Sequence, residues 1–295
     1  MKHAFLIIAH HEEQILRVLL DMLDDARNDI YLHIDCRAKD MYAALKSHRP
    51  TNAGFYLLEQ RMNVYWGDIS QVEVEYRLFE EAFSHGTYAY YHLLSGVDLP
   101  IKNQDTLHHF FDQNHGYEFV GFWNDAAHRR DLERKVSRYY LFTCWIKDHR
   151  HPWHELASFS RNIALAVQKA TRFHRRRTYD FRKGGNWVSI THDFCAYVLS
   201  HREEIFRRFK YTLCPDEIFL QTLLWNSAFR NRIYDAEDAR RGSMREIDWQ
   251  RGSPYTWKKE DLEELLSSEC MFARKFSSTD MDIVLALQAA CASIN

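Results

Sequence analysis

What this chain of 295 residues lacks narrows its possibilities first. No stretch approaches the roughly 18 apolar residues of a membrane-spanning helix. The apolar run nearest the start, "AFLIIA", gives way to two histidines and is too short for the apolar core of a signal segment. The cysteines Cys36, Cys144, Cys195, Cys214, Cys270 and Cys291 form no C-x-x-C pair and no regular spacing. They read as free thiols of a reducing compartment, not as a zinc site or a disulfide framework. Strong charge of one sign is missing too: the net charge is −2, which makes no global case for nucleic acid as a partner. No G-x-G-x-x-G follows the first strand-like run and no Walker loop occurs, so neither a dinucleotide fold nor a P-loop phosphate cradle is indicated. There is no internal repeat and no low-complexity linker. These absences together lead us to expect a soluble, cytosolic protein.

Apolar residues make up 46% of the chain, enough for a sizeable core. Aromatics reach 15%, with 8 Trp and 16 Tyr, residues that fill cores and also stack on sugars. "AFLIIA" suits a buried parallel strand, "EEQILRVLLDMLDD" an amphipathic helix, and "DIYLHID" a second strand ending at Asp35. A β-α-β opening of this kind predicts a parallel sheet. "GFYLLE", "VYWG" and "YEFVGF" are strand-like, "SQVEVEYRLFEEAFSH" is helical, and "AYYHLLSG" is a third main strand. Residues 124–183 differ, being rich in Arg, His and Trp, with a helix expected at 155–171 before the basic run "RFHRRRTYDFRK" at 172–183. That run reads as a solvated face or, alternatively, as a peripheral contact for anionic lipid at the inner face of the cell membrane. Regular elements resume at "GGNWVSIT", with a helix over 192–209, another after "CPDE", a helix "KKEDLEELLSS" and the strand-like "CMFARKF". One α/β domain over 1–295 with an inserted basic segment is expected: 1–123, 124–183 and 184–295.

Ligand sites in open α/β sheets lie at the carboxyl ends of strands. Three such ends carry polar residues here: "AHHE", "HIDCR" and "LLSGVDLP". "CPDE" raises a separate question, because Pro215, Asp216 and Glu217 satisfy the ordinary rules for starting a helix. They equally place a carboxylate where a proton could be removed.

The ordered blocks "FLIIAHHE", "IYLHID", "VYWGDISQVEVE", "YYHLLSGVDLPIK", "GGNWVSIT", "CPDEIFLQTLL", "REIDW" with "GSPYTW", and "FARKF" resemble the core-2/I-branching glycosyltransferases, glycosyltransferase family 14. The resemblance runs from about residue 3 to 277. It implies a GT-A type fold with a Rossmann-like mixed sheet flanked by helices, and an inverting, metal-independent transfer from a UDP-sugar. UDP-GlcNAc is the expected donor and UDP-xylose the alternative; a glycan or lipid-linked oligosaccharide is the expected acceptor. It further implies Glu217 as catalytic base, with Asp216 capping or supporting it, and Arg245 and Lys275 on the diphosphate. Arg274 is a weaker candidate there. His10, His11 and Asp35 would border the nucleoside, and Trp66, Ser70, Ser95 and Asp98 the donor. Glu118, Trp123, Arg138 and Trp249 are assigned to the acceptor side. No metal is expected, because the relevant strand end offers the single carboxylate Asp98. Asp280 and Asp282 read as a helix cap. A non-catalytic carbohydrate- or nucleic-acid-binding module is the competing reading, and it would have no use for a base.

Overall fold

The computed structural model describes residues 1–147, 152–176 and 178–292. Residues 148–151 of the Arg- and His-rich stretch and Arg177 of the basic run lie outside the described residues. Among the described residues eight strands are formed: β1 (His3–Ala9), β2 (Asn28–Ile34), β3 (Gly54–Leu57), β4 (Tyr90–Ser95), β5 (Asp98–Pro100), β6 (Ser189–Thr191), β7 (Arg245–Ile247) and β8 (Phe272–Arg274). The main sheet has the order β3-β2-β1-β4-β6, parallel except for β6, which runs antiparallel to β4. The smaller sheet has the order β5-β8-β7. This is the mixed α/β architecture that the β-α-β opening predicts.

β1 is buried except at half-buried Ile8, and β2 throughout, which suits the apolar run of residues 4–9 and the largely apolar residues 30–34. Side chains alternate across a strand, so Phe5, Ile7 and Ala9 enter one core layer while Ala4 and Leu6 enter the other. The helices Glu13–Met22 and Met281–Ala292 cover the first layer. The helices Ile69–His85 and His192–Ser200 cover the second. Some local expectations are corrected. "VYWG" is loop, and the expected helix 192–209 divides at His201 into two. "YEFVGF" contributes only isolated bridges, from Glu118 to Ile233 and from Phe119 to Ser189. Glu118 does not reach an acceptor face: it is buried, and its carboxylate accepts hydrogen bonds from the Thr191 amide and hydroxyl. Asp282 pairs with Lys259, and the cap before the last helix comes from Ser277, which accepts from the Thr279 amide. Among the described residues, no helix is long and apolar enough to cross a membrane.

Candidate active site

The carboxyl ends of β1, β2 and β4 open onto a cleft of about 580 Å³. Its wall draws on all three sequence segments, from Ile8 through Val97, then Cys144 and Lys147, then Asn186, Trp187 and Arg274. His10, His11, Asp35, Trp66 and Ser95 all line it. The two histidine rings lie 4.1 Å apart. Desolvation at the wall, and then the neighbouring His11, pull the His10 imidazole down to about 4, so it is neutral at pH 7. Asp35 accepts from the Val64 amide at 2.8 Å and, at 2.7–2.9 Å, from the backbone and guanidinium of Arg37. Burial pushes its carboxyl up, but these hydrogen bonds outweigh burial and hold it below the usual range. Trp66 is 48% exposed, with the Lys147 ammonium 3.9 Å from its ring centre.

Of the cations on this wall, Arg37 is bonded to Asp35, Lys147 lies against Trp66, and Arg274 stands at the end of β4. Its Nη1 bonds to the Ser95 hydroxyl and to Asp98 Oδ1, and its guanidinium lies 4.7 Å over the Trp187 ring. Asp98 is therefore not a donor contact of its own. Its carboxylate is occupied by the Ser95 amide and hydroxyl, each at 2.7 Å, and by Arg274. Arg245 is the main correction. It is 2% exposed, away from the cleft wall, donating to the carbonyls of Ser243 and Val188 and to the Ser189 hydroxyl. The sequence places Arg245 at the start of β7, and pairing of β7 with β8 turns its side chain over the Phe272 ring inside the core. Lys275 is not on the wall, yet it lies close enough that its charge, with that of Arg274, adds to the lowering of His11. Ser70 is also behind the wall; its hydroxyl accepts from the Tyr65 amide and fixes the loop that carries Trp66.

Pro215–Glu217 forms a 3₁₀ turn just before the helix Phe219–Trp225. Asp216 does not cap that turn. It is 5% exposed and accepts from the Gln71 amide at 3.1 Å, while Gln71 itself lines the cleft and accepts from the Gly67 amide. Burial, and then the charge of Glu217, raise the Asp216 carboxyl. Glu217 points the other way. Its Oε2 is 3.1 Å from Lys135 Nζ and 3.2 Å from Lys183 Nζ, and Asp131 bridges the same two lysines at 3.1 and 2.6 Å. Lys183 in turn lies 5.1 Å from the Trp123 ring centre, and Trp123 stands 6.2 Å from Trp249. Glu217 thus stands with Lys183, next to Trp123 and Trp249, while its chain neighbour Asp216 is bonded to Gln71 of the cleft wall.

Sequence reasoning passed over Glu75, which lines the cleft at 0% exposure. Among the described residues, neither of its oxygens makes a hydrogen bond of good geometry. Burial, and then Asp216, push its carboxyl well up, with Asn186 offsetting this in part. A signal was available. Val72, Glu75, Phe79 and Ala82 share the inward stripe of one helix, so a glutamate stands where the apolar period calls for a hydrophobe.

Residues 3–270 match the family described as Core-2/I-Branching enzyme. Xylosyltransferase oxt of Drosophila melanogaster is 25% identical over 287 residues, covering 90% of this chain and 30% of that protein. Xylosyltransferase 2 of Rattus norvegicus is 23% identical over 295 residues, covering 94% and 32% respectively. The chain therefore spans about a third of the length of these curated relatives. A structure of mouse xyloside xylosyltransferase 1 in its apo form aligns over 92% of this chain and 96% of that one, with 10% identity and a TM-score of 0.37. Since the family match extends over residues 3–270 of 295, the chain belongs to the Core-2/I-branching enzyme family.

Proposed function

We propose that this chain is an inverting glycosyltransferase of GT-A type that binds a UDP-sugar in the cleft and transfers the sugar to an acceptor hydroxyl presented at Glu217. The carrying observation is the juxtaposition of a cleft at the strand ends, a cation fixed over it, and a carboxylate on the adjoining aromatic face. His10, His11 and Asp35 border the nucleoside end, and Arg274 with Lys275 takes the diphosphate. Glu217 Oε2 is held by the two lysines, which leaves Oε1 to accept the hydroxyl proton. The hydroxyl oxygen then bonds to the anomeric carbon as its bond to the diphosphate oxygen breaks, and the cations receive the developing charge. Trp123 and Trp249 form the acceptor side, where a glycan or lipid-linked oligosaccharide would stack. The basic run is not the docking patch as a whole: Arg175 bonds to the Arg208 carbonyl and Thr212, Arg182 pairs with Asp180, and Lys183 serves Glu217.

The reaction is read as metal-independent, because Asp98 is already committed to Ser95 and Arg274. UDP-GlcNAc is the first reading of the donor. The xylosyltransferase relatives favour UDP-xylose as the second. A thermal-shift panel of UDP, UDP-GlcNAc, UDP-xylose and UDP-glucose separates them, because a bound ligand raises the melting temperature. With the donor that binds, Glu217→Gln is expected to keep UDP affinity and lose about 10²–10⁴-fold in turnover. Activity in excess EDTA is expected to persist. Normal turnover of Glu217→Gln at saturating acceptor would remove Glu217 as the base, and Mn²⁺-restorable loss in EDTA would remove the metal-independent reading.

A further inference from the structure

The helix His154–Ala170 sits on the body of the protein by a mixed side that buries His154 and Ala157 and half-buries Arg161, Leu165 and Gln168. His154 Nδ1 meets the Trp145 carbonyl at 2.7 Å, and the Gln168 amide exchanges hydrogen bonds with the backbone N–H and C=O of Tyr139. The opposite face is apolar and open. Leu156, Phe159, Ile163 and Val167 are 56%, 63%, 48% and 54% exposed. At 100° per residue these four fall within about 80° of one another and extend for about 16 Å along the axis. A contiguous exposed apolar stripe of this kind marks a contact surface.

The surroundings say what fits it. Exposed Trp153 precedes the first turn, and exposed Phe173 follows the last, its ring 5.8 Å from Tyr139. Tyr139 stands 5.9 Å from Tyr211, and the Lys210 ammonium is 5.4 Å from the Tyr211 ring centre. Lys169, Arg172 and Arg176 are exposed at the same end of the helix. Aromatic residues at both ends, an apolar stripe between them and cations beside it are the composition of a helix lying in the interface of a bilayer. We propose that the outward face of His154–Ala170 docks the protein onto a membrane containing anionic lipid. The stripe enters the acyl boundary, and the flanking cations meet the headgroups. The proposal goes beyond the transferase reading and does not depend on it, because vesicle binding is measured without donor or acceptor.

The test is co-sedimentation of the full chain with vesicles of phosphatidylcholine and phosphatidylglycerol, against phosphatidylcholine alone. The wild type is expected to partition onto the anionic vesicles, less so as salt is raised. The double variant Phe159→Ser, Ile163→Ser is expected to lose about tenfold or more of that partitioning, with an unchanged melting temperature because both positions face solvent. Brominated lipid is expected to quench part of the wild-type tryptophan emission, and Trp153→Phe to reduce that quenching. Failure of the wild type to bind anionic vesicles would overturn the proposal, as would equal binding by the double variant. A dimer formed in lipid-free buffer and dissolved by that variant would also overturn it, assigning the stripe to a second copy of the chain.

Discussion

Arg245 and Arg274 carry the same guanidinium into opposite surroundings. Arg245 ties β7 to the backbone of residues 188 and 243 from inside the core, where burial pulls its guanidinium down to about 9, still charged at neutral pH. Arg274 is oriented by Asp98 and Ser95 so that it faces the cleft. Truncation separates these roles. Arg245→Ala is expected to cost about 2–4 kcal/mol of stability, since it opens a cavity and removes the hydrogen bonds to the Ser243 and Val188 carbonyls and the Ser189 hydroxyl. Arg274→Ala is expected to weaken UDP by about 1.5–3 kcal/mol, the range for charged hydrogen bonds, besides costing stability by leaving the buried Asp98 without its cation. Uridine, which has no phosphates, should be indifferent to both. Calorimetry of UDP and uridine on each folded variant decides this. A greater loss of UDP affinity in Arg245→Ala than in Arg274→Ala would return the diphosphate to Arg245.

The helix Ile69–His85 connects the two halves of the site. Asp68 caps it by accepting from the Ser70 amide, Gln71 in its first turn reaches Asp216, and Glu75 one turn on lines the cleft. The folded Glu75 carboxyl is raised, so its contribution to stability is present below the unfolded value near 4.5 and is lost as pH rises through the folded value. Glu75→Gln keeps the shape and removes the titration. The melting temperature of the variant, measured relative to wild type, is therefore expected to increase as pH rises from about 5 upward, above the ordinary carboxyl range. Parallel melting curves across those pH values would show that Glu75 is not held protonated by its surroundings.

Across the whole molecule, buried histidines and buried carboxyls pull the pH profile in opposite directions. His3, His92 and His108 pack together, with His3 Nδ1 and His92 Nε2 3.0 Å apart, and His33 accepts from the Met62 amide. Burial, before any neighbouring charge, lowers His33 and His108 to about 4, His3 to about 2 and His92 well below its usual value. Their stabilisation is present above the unfolded value of about 6.5 and is lost as pH falls towards the folded ones. Glu118, raised to about 7 by burial, acts with Glu75 and Asp216 in the other sense, losing stabilisation as pH rises through neutrality. The melting temperature is expected to peak at about pH 6.5 and to decline on both sides, more steeply below about 4.5, where the carboxyls no longer oppose the histidines. A plateau continuing from pH 6 to pH 9, about two units past the carboxyl transitions, would contradict the protonated carboxyls.

The sequence by itself determined the elements whose pattern is local. Largely apolar runs made β1, β2 and β4, and the 3.6-residue period made Glu13–Met22 and Ile69–His85, because backbone pairing and side-chain alternation respond to neighbours a few positions away. It also placed His10, His11, Asp35 and Ser95 on one edge, since strand ends of a parallel sheet converge whatever lies between them. What it could not decide was which face of a short or irregular segment turns inward. Arg245 and Arg274 occupy adjacent parallel strands, and only the register of β7 on β8 and of β8 on β5 sends one into the core and the other to the cleft. Asp216 and Glu217 are sequence neighbours that a single turn directs to opposite sides, one to Gln71 and the other to two lysines from distant segments. Those outcomes depend on contacts between residues far apart in the chain, which only the packed tertiary structure supplies.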